Sequence, residues 1–65
     1  MRILTWQARI KKNITLVKLS KLSGIGKSTL NNIENEKTSP TMNQMEAIAK
    51  ALDVKISDLY DSPYK

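Results

Sequence analysis

Thr15-Leu16-Val17-Lys18-Leu19-Ser20-Lys21-Leu22-Ser23-Gly24-Ile25-Gly26-Lys27-Ser28-Thr29-Leu30-Asn31-Asn32-Ile33 is the stretch that decides how this chain folds. Thr15 is a good N-cap, because its hydroxyl can accept from an amide of the first helical turn. A helix over residues 16–23 follows, with Leu19 inward and Ser20 small enough to admit a partner helix. Gly24 stops that helix, since glycine takes a positive φ without a Cβ clash. Ile25 then turns into the core and Gly26 opens a second helix over residues 27–34. Leu30 and Ile33, three apart, form its inner stripe. Lys27, Ser28, Asn31, Asn32 and Asn35 fill the remaining arc, which is wholly polar. A helix serving only a core would rarely spend two adjacent asparagines there.

The flanking segments are helical as well. The N-terminal pattern predicts a helix over residues 2–12, with Leu4, Ala8 and either Ile3 or Thr5 inward and Arg2, Lys11 and Lys12 outward. Trp6 reads as a partly buried packing residue of that helix, and Asn13 breaks it. Lys37-Thr38-Ser39-Pro40 is a loop. Thr41 and Gln44 make a capping box, and Met45, Ile48, Ala49 and Leu52 form the cleanest amphipathic stripe in the chain. Met42 and Met45 read as core filler. Val54 and Ile56 cross the core before a last short helix over residues 57–60, and residues 61–65 are expected to fray. No alternating run predicts a strand. The expected fold is all-α, a compact five-helix bundle forming one domain over residues 1–65.

Composition narrows the chemistry. The chain has 65 residues, no cysteine and no histidine, so disulfides, thiolate chemistry and the commonest general base are excluded. No base stands ready to activate Ser23 or Ser28, and no enzyme activity or cofactor is expected. No apolar run approaches the roughly 18 residues of a membrane span, and the N-terminus lacks the apolar core of a secretion signal. A cytoplasmic protein is the expectation.

Charge is unevenly spread. Residues 1–33 hold seven basic side chains and no acidic one, whereas residues 34–65 hold four basic and six acidic, so the formal +5 divides as +7 and −2. Lys11, Lys12, Lys18 and Lys21 could each belong to an ordinary solvated face. Their collective freedom from acidic neighbours points to an anionic partner. A membrane surface would need a free apolar helix face, and here those faces are committed to the core. Nucleic acid is the better fit, and two short helices at a glycine corner form the helix-turn-helix that presents its second helix to a groove in DNA. The segment Gly24–Thr29 also resembles the tail of a phosphate-binding loop. Lys21 occupies the position of that motif's first glycine, however, and no strand precedes it.

Between Ile14 and Pro40 the chain resembles the phage-repressor and Cro-type helix-turn-helix family, also called the XRE family. The resemblance is carried by Ile14-Thr15, Leu19-Ser20, Gly24-Ile25, Ser28-Thr29-Leu30, Ile33-Glu34-Asn35, Lys37 and Pro40. Ile48-Ala49-Lys50-Ala51-Leu52 and Leu59 extend it through the last helix. The resemblance implies a five-helix domain that binds double-stranded DNA as a symmetric homodimer, with helices 2 and 3 (about residues 15–35) as the motif and helix 3 in the major groove. Carried over by position, it implies base contacts from Lys27, Ser28, Asn32 and, with less support from the pattern, Asn31. It implies phosphate contacts from Thr15, Asn35 and Lys37, and an internal ion pair between Arg9 and Glu34. Two positions depart from the family: Leu16 stands where a phosphate-touching glutamine is common, and Glu36 where glycine is common.

These readings lead to a transcriptional regulator, a repressor that occludes a promoter, with no small-molecule ligand expected in so short a chain. Dimerisation only on DNA is the alternative to a dimer in free solution. The competing function is an antitoxin-like protein-interaction module that meets a protein partner through helices 4 and 5, where Glu46, Asp53, Asp58 and Asp61 gather.

Overall fold

The computed structural model describes residues 1–65. It contains four α-helices: α1 (Thr5–Lys11), α2 (Leu16–Ser23), α3 (Lys27–Glu34) and α4 (Met42–Leu52). A 3₁₀ turn, Ile56–Leu59, takes the place of the fifth helix. The helical character of the fold matches the sequence reading, but the count of five does not. Only four residues separate Lys55 from Tyr60, and the Lys55 amide is held by Asp58 Oδ2 at 3.1 Å, which closes a single tight turn.

A second correction concerns the N-terminus. Arg2–Ile3 (β1) is extended and pairs antiparallel with Tyr60–Asp61 (β2), in the register Arg2 to Asp61 and Ile3 to Tyr60. The Leu4 amide continues the pairing by donating to the Leu59 carbonyl at 2.8 Å. The first helix therefore starts at Thr5, not at residue 2. The backbone of residues 2–4 finds its partners at the far end of the chain, a non-local contact that helical periodicity cannot register. Beyond β2, Lys65 Nζ donates to the Tyr60 carbonyl at 2.9 Å.

One apolar core joins every element. Leu19 of α2, Leu30 and Ile33 of α3, Ile48 and Leu52 of α4, and Leu59 are fully buried. Each such side chain contributes on the order of 1.5–3 kcal/mol by leaving water. Leu16, Ile25, Val54 and Ile56 close the margins of this cluster. Of the two methionines expected as filler, Met45 is buried, but Met42 is 68 % exposed at the first position of α4. The capping box of α4 is fully formed, with Thr41 Oγ1 accepting from the Gln44 amide and Gln44 Oε1 from the Thr41 amide.

Helix α1 is turned against its own hydrophobicity. Thr5 and Arg9, four residues apart, face inward, while Trp6 is 49 % and Ile10 45 % exposed. Trp6 is thus a surface residue, not a packing one. The face turned inward is the one on which Arg9 meets its acidic partner on α3, Glu34. Thr5 shares that face, and its Oγ1 is buried without a hydrogen-bond partner.

A residue with positive φ follows each of the four helices within two positions: Asn13 (57°), Gly24 (75°), Glu36 (56°) and Asp53 (56°). After α1, α3 and α4 the amide one residue further on reaches back into the last turn, as in Lys37 N–H to the Asn32 carbonyl at 2.9 Å. These bonds satisfy carbonyls that the helix leaves open.

Candidate nucleic-acid interface

The corner between α2 and α3 is braced from inside. Thr15 Oγ1 accepts from the Lys18 amide at 3.1 Å, capping α2. Its own O–H remains available as a donor. At the other end, the Gly24 amide donates to the Ser20 carbonyl at 3.0 Å. The Ser20 hydroxyl then crosses the corner to the Ile25 carbonyl at 2.7 Å, and Ser23 Oγ accepts from the Ile25 amide at 3.2 Å. Two serines therefore fix the angle at which α3 leaves α2. Sequence reasoning credited Ser20 only with smallness; its bond needs the turn geometry to be seen.

Helix α3 starts at Gly26, which offers no side-chain cap, so the first amides of α3 have no side-chain partner from Gly26. Leu30 and Ile33 point into the core. On the 3.6-residue period the opposite side carries two rows. One is Lys27, Asn31 and Asn35; the other is Ser28 and Asn32. Lys27, Ser28, Asn31 and Asn35 are exposed and Asn32 is half-buried. Thr29 is exposed as well and was not among the expected base contacts. In the first row Asn35 Nδ2 donates to Asn31 Oδ1 at 3.2 Å. Their spacing of four was the available sequence signal for that bond.

Arg9 and Glu34 hold the far end of α3. Arg9 Nε donates to Glu34 Oε2 at 2.7 Å and Nη2 to Oε1 at 3.1 Å, while Nη1 donates to the Ile14 carbonyl at 2.9 Å. The side chains are 11 % and 5 % exposed, so the fork is shielded from solvent. One guanidinium thereby joins α1, the segment leading into α2, and the last turn of α3. Removing either partner of a pair like this costs about 3–5 kcal/mol, because the other charge is left buried alone.

The two departures from the family pattern have different outcomes. Leu16 is half-buried and packs against the core, so that position serves packing. Glu36 takes the left-handed conformation, with its amide on the Ile33 carbonyl at 3.1 Å. A non-glycine residue there costs roughly 1–2 kcal/mol. Lys37 follows it and is exposed, as is Thr15 at the start of α2. The six lysines Lys11, Lys12, Lys18, Lys21, Lys27 and Lys37 all reach solvent.

The polar outer side of α3, the braced corner before it and the exposed lysines around it together make up a helix-turn-helix. A family model described as helix-turn-helix matches residues 7–59. The structure is similar to the N-terminal DNA-binding domain of SinR from Bacillus subtilis, with a TM-score of 0.80 and 29 % identity, covering 94 % of this chain and 90 % of that one. No curated protein matches the chain in sequence. The chain belongs to the XRE-type helix-turn-helix family, whose members are DNA-binding regulators and not enzymes. No helix is long and apolar enough to cross a membrane.

Proposed function

We propose that this chain is a sequence-specific transcriptional regulator that lays α3 in the major groove and represses by covering a promoter. The observation that carries the reading is the outward side of α3, polar and free of acid along both rows, on a helix whose two ends are fixed by the serine-braced corner and the Arg9–Glu34 fork. Lysine can donate to guanine O6 and N7, and asparagine can pair with adenine N6 and N7. Lys27, Ser28, Asn31 and Asn32 are the base readers on this proposal. Thr15, with its free hydroxyl hydrogen, Asn35 and Lys37 hold phosphates on either side. The likeness to the SinR DNA-binding domain supports the same duplex partner. Two copies on an inverted repeat would place their α3 helices about 34–36 Å apart.

The test compares a duplex selected from a random library with random duplex of equal length. Asn32→Ala should lower affinity for the selected site by about 1–3 kcal/mol and leave random duplex unchanged. An equal loss on both duplexes removes base reading by α3.

A further inference from the structure

We infer that Asn35 is a positioning residue for base recognition: its bond to Asn31 turns the Asn31 amino group outward and makes Asn31 a reader of acceptor edges. The inference rests on α3 being the groove-bound helix and says what its first row recognises.

Asn35 is tied to Asn31 twice. Its backbone amide donates to the Asn31 carbonyl at 3.0 Å, and its side-chain Nδ2 donates to Asn31 Oδ1 at 3.2 Å. The main chain at Asn35 is held on its far side as well, with the Glu36 amide on the Ile33 carbonyl and the Lys37 amide on the Asn32 carbonyl. The Asn31 side chain is exposed, so its free atoms face solvent.

The consequence follows from carboxamide chemistry. A bidentate contact with adenine requires the oxygen and nitrogen of one amide to face the base together. With one lone pair of Oδ1 taken by Asn35, the amino group is the part of the Asn31 amide that is wholly free. Lys27, one turn earlier in the same row, offers donors alone. The row therefore matches guanine, with its O6 and N7 acceptors, or the O4 of thymine. Asn32 in the second row makes no side-chain bond within the protein and keeps the full amide edge that adenine needs. The second amino hydrogen of Asn35 stays free for a phosphate oxygen, so one side chain joins a backbone contact to the setting of a base reader.

Binding-site selection from a random duplex library with wild type, Asn31→Ala, Asn31→Asp, Asn35→Ala and Asn32→Ala tests this, with circular dichroism to confirm folding of each variant. Asn31→Ala and Asn35→Ala should relax the same base pair, each reducing preference for guanine or thymine there by roughly three- to tenfold. Asn31→Asp keeps the oxygen that accepts from Asn35 but has no donor, so preference should move to cytosine or adenine, which offer amino groups in the groove. If Asn35→Ala weakens binding without changing any base preference, the coupling is wrong and Asn35 is a phosphate contact alone. If Asn32→Ala also leaves every preference intact, the reading of α3 fails and this inference goes with it.

Discussion

The turn after α2 and the turn after α3 adopt the same left-handed backbone, at Gly24 (φ 75°) and at Glu36 (φ 56°), yet only the first is a glycine. The first lies inside the motif, where the serine hydroxyls of α2 set the exit of α3. The second lies beyond it, beside Lys37, on the path proposed for a phosphate. Backbone strain is thus absent from the corner that orients α3 and present just past the end of that helix. The orientation of α3 therefore rests on relaxed geometry, while its exit carries a left-handed residue two positions beyond the Arg9–Glu34 fork.

Arg9→Ala removes the fork beside that exit and should be the largest effect, a loss of about 3–5 kcal/mol in thermal or denaturant unfolding. Hydrogen exchange should quicken at the amides of Glu36 and Lys37 more than at Gly24. Uniform acceleration would mean the fork serves both turns equally. Gly24→Ala should cost about 1–2 kcal/mol. No atom lies within 4 Å of the added Cβ, so the whole loss is conformational. Glu36→Gly is its mirror image and should gain about 1 kcal/mol, the left-handed strain less the added freedom of glycine in the unfolded chain. The double variant should melt close to wild type. A Glu36→Gly protein no more stable than its parent would show that the exit is not strained. The smallest change is expected from Lys37→Ala, which should leave stability alone and make the salt dependence of binding shallower by about one unit of slope.

Much of this was legible in the residues. Thr15, Gly24 and the Thr41–Gln44 pair act through neighbours in sequence, so their helix boundaries could be read directly. The polar side of α3 was legible for the same reason, since one helix sets the spacing of all its residues. The pairing of Arg2–Ile3 with Tyr60–Asp61 was not, because it joins opposite ends of the chain and contains no hairpin. Trp6 and Met42 were misjudged because apolarity says a side chain prefers burial, not that room exists for it. In α1 the inward row is Thr5 and Arg9, the face on which the guanidinium meets a carboxylate on α3. The hydrogen bond between Asn31 and Asn35 was within reach of the spacing, but its orientation needed coordinates.

The shortness of α3 sets a limit on what one copy can specify. Its eight residues extend about 12 Å, the rise of roughly three or four base pairs. A four-letter word recurs by chance about once in 256 positions, against the 10⁶–10⁹ competing sites of a genome. On the proposed reading, a single molecule carries too little information to name one locus. The smallest addressable unit is a pair of such helices on neighbouring turns of one duplex.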